Sequence, residues 1–174
     1  MNRRRGLWLS GIVAAALLVV LTVVDGQIQD SGGPGIVAFE LARTADRAAE
    51  ILAEWGADGQ GSARLSLWID FPYLIAYGAF LALAVAAIRD ALAARGRQRW
   101  ARPGGAIAVL PIVAAACDVV EDVSLLLILD GETGSAAPAV AFAFALAKFV
   151  ALAIALAYLL GGLVALAAAR RRLA

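Results

Sequence analysis

Apolar residues fill four stretches of this chain, roughly 7–24, 65–88, 104–129 and 138–169, and polar residues gather between them. Each stretch is near or above the ~20 residues that an α-helix needs to cross ~30 Å of hydrocarbon. The pattern predicts an all-α fold: an integral membrane, antiparallel four-helix bundle forming one membrane domain over residues 1–174. Connections at 89–103 and 130–137 are short, as between antiparallel neighbours. Residues 25–64 make a longer outer segment. Its start, Asp25 to Gly35, is rich in Gly, Asp and Gln and reads as irregular. Residues 36–43 read as one or two helical turns. Thr44 then suits an N-cap, Asp46 favours the positive helix end, and Gly56 is a natural stop. Between them Ala48, Ile51, Leu52 and Trp55 recur at i, i+3, i+4, i+7, while Asp46, Glu50 and Glu54 line another face. This predicts a short extracytoplasmic amphipathic helical cap, packed on the bundle or lying in the interface. Such a helix can also close the mouth of a cavity below it.

Composition agrees. The chain is 63% hydrophobic with mean hydropathy +0.84, against about 45–50% apolar residues in soluble domains. Net charge is uninformative because the charges are segregated. Arg3, Arg4 and Arg5 precede the first stretch, Arg89, Arg95, Arg97, Arg99 and Arg102 lie between the second and third, and Arg170, Arg171 and Arg172 follow the fourth. In a four-span topology all eleven fall on one side, together with a single acid, Asp90. The positive-inside rule then puts both termini in the cytoplasm, in a cell (inner) membrane. Trp8 and Trp100 fall near the cytoplasmic interface and Trp68 near the outer one. A signal peptide over residues 3–26, cleaved beside Val24 and Gly26, is a competing reading. Its 18-residue apolar core is long and Asp25 is a poor neighbour for cleavage, so a span is preferred.

Composition also excludes chemistry. No histidine occurs, which removes imidazole ligands and histidine-based triads. The lone Cys117 lies inside the third stretch, where a small packing residue is expected, and forms no intrachain disulfide. No basic, aromatic-interleaved surface suggests nucleic acid. The expected partner is the lipid bilayer, with a lipid or small molecule as possible ligand. No cofactor and no metal are expected.

The informative residues are ionisable groups at membrane depth: Asp70, Asp118, Glu121, Asp122 and Lys148. Charges there are costly and mark functional sites. Asp118, Glu121 and Asp122 share one face of the third stretch at i, i+3, i+4. Asp70, Tyr73 and Tyr77 line one side of the second. If the hairpin between the third and fourth stretches turns near residue 133, Asp118 and Lys148 lie fifteen residues either side of it, hence level, each ~20 Å from the turn. Three acids in the third stretch cost up to about 8–10 kcal/mol on the insertion scale, and its thirteen Leu, Ile and Val return about 4–8. That stretch needs partners. One lysine cannot neutralise four acids, so Asp118 is expected to be the ionised partner of Lys148, with a proton on Glu121 or Asp122. Pro72 and Pro111 can each kink a helix, but prolines tolerated within membrane helices are the preferred reading; Ala141, Ala145, Ala147, Ala151 and Ala155 should form a small-residue row for close helix contact.

The residues Phe39-Glu40-Leu41-Ala42-Arg43-Thr44, Asp70 with Tyr77-Gly78, Asp118-x-x-Glu121-Asp122 and Lys148 resemble an uncharacterised family of small four-span bacterial integral membrane proteins. The resemblance covers most of residues 36–150. It implies a topology and a polar core, and no activity. The position of Asp122 is often Asn in that pattern, so an acid here adds negative charge.

Three functions fit these residues. The network could only fix helix packing. It could bind a small molecule, lipid, proton or cation from the outer side through Asp70, Tyr73, Tyr77, Asp118, Glu121, Asp122 and Lys148; oxygen ligands are abundant, but Lys148 should repel a metal. Or it could be a membrane enzyme acting on a lipid or isoprenoid, with Glu121 or Asp122 as general acid and Asp70 as base. Surplus acids favour binding over packing alone, and the absence of a nucleophile elbow, zinc motif or phosphate loop disfavours hydrolysis and phosphoryl transfer.

Overall fold

A computed structural model describes residues 2–132 and 136–171, with side chains to residue 168. The turn expected near residue 133, the side chains of Arg170 and Arg171, and Arg172 lie outside the described residues. The chain forms α1 (Arg3–Asp30), α2 (Ile36–Glu40), α3 (Ala45–Ala93), α4 (Gln98–Ala101), α5 (Gly104–Ile107), α6 (Leu110–Leu129) and α7 (Ala137–Arg171). Among the described residues there is no strand. Three helices, α1, α3 and α7, are long and apolar enough to cross a membrane. At 20 residues, α6 is ~30 Å long but carries three acids.

Several boundaries differ from the sequence expectation. Helix α1 runs five residues past Asp25, leaving only Ser31–Gly35 irregular. Gly56 does break the helix, with φ +59°, but helix resumes at once and runs to Ala93. Gln60 Nε2 donates to the Leu52 carbonyl at 2.9 Å, satisfying an acceptor beside the break. Residues 57–64 are therefore helical and extend α3 beyond the expected second span. The stretch from 104 divides into α5 and α6 at Ala108–Val109. Pro111 sits in the first turn of α6, where its missing N–H is not needed, and so starts a helix rather than kinking one. Pro72 lies within α3 without leaving helical geometry.

Thr44 caps α3 as expected, its hydroxyl accepting from Arg47 N at 3.3 Å. The short α2 is fixed from outside: Asp25 of α1 accepts from Ile36 N at 2.7 Å and from Gln29 Nε2 at 2.7 Å. A side chain at Gly35 would meet that carboxylate at 2.8 Å, so the close approach requires glycine there.

Packing falls into three layers along the helices. Nearest α2, Ile28, Phe39, Ile51, Trp55, Leu125 and Ile128 are fully buried together. The Trp55 and Phe39 rings meet edge-on at 5.0 Å, and Trp55 Nε1 donates to Pro34 O at 2.7 Å. The expected apolar face of residues 45–55 is thus buried at Ala48, Ile51 and Trp55, with Glu50 and Glu54 exposed. A middle layer holds Ala14, Leu74, Tyr77, Ala114 and Ala151, and a third holds Leu92, Ala101 and Ala165. Near the third, Asp90 pairs with both Arg3 and Arg89. Hydrogen bonds from Arg89, then Arg3, hold the Asp90 carboxyl below its usual range. At the other end Arg64 pairs with Asp130 at 2.7 Å.

Helix α3 is the hub, packing on α1, α6 and α7, and α6 packs closely on α7. Helix α1 leans on α3 and makes no comparable contact with α6 or α7. On α7 the buried stripe is Ala141, Ala145, Lys148, Ala151 and Ala155. Ala147 is exposed, correcting its place in the small-residue row; helical spacing puts Lys148 on that stripe instead.

Candidate functional site

Lys148 is where four elements converge. Its ammonium donates to Asp118 Oδ1 at 2.7 Å and Glu121 Oε1 at 2.9 Å, both on α6, and reaches Glu40 Oε2 of α2 at 3.4 Å. Glu121 Oε2 stands 2.8 Å from the same nitrogen, in ionic contact without hydrogen-bond alignment. From α3, Tyr77 donates its hydroxyl to Asp118 Oδ2 at 2.8 Å. The charged side chains are sealed: exposure is 3% at Asp118, 0% at Glu121, 3% at Asp122 and 7% at Lys148. The level placement of Asp118 and Lys148 expected from chain counting is what the fold delivers.

The remaining residues split between two spaces. A cavity of about 680 Å³ lies between α1, α3 and α7. Asp70, Tyr73, Tyr77, Asp118, Lys148 and Glu40 give its polar wall. Leu18, Phe80, Leu81, Leu152 and Leu156 give an apolar one. Glu121 and Asp122 do not line it. Asp122 instead lines a second chamber of about 230 Å³ with Asp70, Glu40, Ser66, Thr22 and Asp25. Asp70 and Glu40 thus face both. Residues 44–55, expected above the cavity, do not touch it; Val37 and Glu40 of α2 hold that position.

Glu40 is the member that reading the residues for site chemistry passed over. Its sequence signal was an acid set between Phe39 and Leu41 in a short apolar run, one of the residues carrying the family resemblance. Its depth depends on α2, whose position depends on Asp25 across eleven residues of chain.

Asp70, Asp118 and Asp122 each bring a carboxylate oxygen to within 4.8 Å of the other two. Unit charges about 5 Å apart repel by roughly 3 kcal/mol at an effective dielectric of about 20. Asp118 is compensated by Lys148 and Tyr77. Among the described residues, neither Asp70 nor Asp122 has a cationic partner. Chemically, the arrangement offers a negative, oxygen-rich wall beside an apolar slot.

No family model, curated protein or solved structure matches this chain.

Proposed function

We propose that this chain is a four-span inner-membrane protein with both termini cytoplasmic, an antiparallel bundle that binds an amphiphile with a cationic or hydrogen-donating head. In this reading α6 is the third of the four spans, held in the bilayer by Lys148, and residues 45–55 form the outer amphipathic cap. The observation that carries the reading is the 680 Å³ cavity, within the ~300–1,000 Å³ of small-molecule sites. It joins an apolar slot for a tail to a wall of Glu40, Asp70, Asp118 and Tyr77 for a head. The space between α1 and α7 faces lipid, so an amphiphile enters from the bilayer. Five acids against one lysine favour a positive head over an anionic one. Catalysis by Glu121 or Asp122 is disfavoured, because neither reaches the cavity.

A diazirine-bearing alkylammonium tests this on protein in phosphatidylcholine nanodiscs. Labelling should concentrate on Phe80, Leu81, Leu152 and Leu156, compete with unlabelled alkylammonium but not with alkyl sulfate, and fall in Asp70→Asn. Uniform, uncompeted labelling that includes the outward-facing Ile75 and Val164 would refute it.

A further inference from the structure

We propose that Asp70, Asp118 and Asp122 hold a hard divalent cation, of the Mg²⁺ or Ca²⁺ class, beside the amphiphile cavity. This goes beyond the amphiphile reading and stands without it, because Asp122 faces the smaller chamber and not the larger cavity. Two independent observations meet here. The first is geometric. The three oxygens lie within 4.8 Å of one another, the span of opposite ligands around Ca²⁺ with bonds of about 2.3–2.6 Å; Mg²⁺, with bonds of about 2.0–2.1 Å, would draw them closer. The second is an unanswered group. Asp122 is 3% exposed, and its Oδ2 has no hydrogen-bond partner among the described residues. A buried carboxylate oxygen is rarely left so.

Charge sets the valence. Asp70 and Asp122 have no cationic partner among the described residues; with both ionised they would carry two charges, which one divalent ion balances. Lys148 does not oppose this, contrary to the expectation from sequence. Its ammonium is already surrounded by Asp118, Glu121 and Glu40, so that group as a whole is negative. The remaining coordination falls to water. The adjoining chamber of about 230 Å³ has room for several molecules at about 30 Å³ each. It also supplies a route, since Asp25 and Thr22 near the α2 end of α1 line it together with Asp70 and Asp122.

The test uses Mn²⁺ as a paramagnetic probe on the full chain in phosphatidylcholine nanodiscs stripped with chelator. Loss of the free-ion resonance should report one Mn²⁺ per chain above empty discs. Excess Ca²⁺ or Mg²⁺ should displace it, and the ion effective at lower concentration is the preferred one. Asp122→Asn should weaken binding at least tenfold, since even outer-shell changes at metal sites cost about 10–100-fold. Asp30→Asn, at the exposed end of α1, should bind as the parent does. A folding defect is kept apart by thermal unfolding. Added Ca²⁺ or Mg²⁺ should raise the parent's midpoint and leave that of Asp122→Asn unmoved, while the ion-free variant melts no lower than the ion-free parent. Absence of bound Mn²⁺ on the parent chain overturns the proposal, leaving a proton between Asp70 and Asp122. So does undiminished binding in Asp122→Asn. Alkylammonium labelling reads a different event, so either proposal can fail alone.

Discussion

Two layers of this protein are equally buried and built on opposite principles. Around Trp55 and Phe39, closure comes from shape: aromatic and branched side chains interlock, and one hydrogen bond to Pro34 satisfies the indole. One layer inward, around Lys148, closure comes from charge: an ammonium gathers carboxylates from α2 and α6 while a tyrosine on α3 braces one of them. The second layer leaves a cavity and orphaned acid oxygens. Ordinary folding needs the first. The second carries more negative charge than helix pairing requires, and that surplus is the reason to read it as a site.

The sharpest way to break this comparison is Lys148→Met. It keeps the volume but strands Asp118 and Glu121, and breaking a buried pair costs about 3–5 kcal/mol. Reversible unfolding in bicelles should register that loss together with loss of alkylammonium labelling. An unchanged unfolding curve would mean the charges are not mutually required. Tyr77→Phe comes next. It removes one donor to an ionised acceptor, at about 1.5–3 kcal/mol, and should weaken labelling while leaving the helical circular dichroism intact. Trp55→Phe sharpens the contrast from the other layer. Loss of the bond to Pro34 should lower stability by about 0.5–1.5 kcal/mol, with cavity labelling unchanged; altered labelling would show that the layers are coupled. The smallest effect belongs to Asp90→Asn. Asp90 is a surface group whose folded carboxyl titrates below its ordinary 3.8. Its pairing therefore stabilises the fold above pH 3.8 and is lost as pH falls further. At neutral pH the variant should unfold within error of the parent, and high salt should erase any residual difference.

How much of this could be read from the chain depended on distance along it. Asp118 and Lys148 could be matched because both hang from one hairpin, where counting residues fixes relative depth. Thr44, the buried face of Ala48, Ile51 and Trp55, and the helical turns at 36–40 were equally local, set by neighbours within one or two turns. Glu40 was not matched to Lys148, because α2 takes its position from a cap that another helix provides. The break at Ala108–Val109 was missed because hydropathy averages over a proline that starts a helix as readily as it bends one. The roof of the cavity went to α2 rather than to residues 44–55 for a related reason. An amphipathic pattern says that a face is buried, not against what. Which helices flank an opening is likewise invisible to periodicity, so the space between α1 and α7 had no signature at all.

That space has one firm side and one looser one. Helices α3, α6 and α7 grip one another, whereas α1 lies mainly along α3 and is pinned at its α2 end by Asp25 and Ile28. A longer or bulkier chain would push on the rest of α1, and the contacts of Lys148 with Asp118 and Glu121 do not involve that helix. Under the proposed amphiphile reading, discrimination then resides mainly in the head, with hydrocarbon of many lengths accepted and the wrong sign of charge rejected.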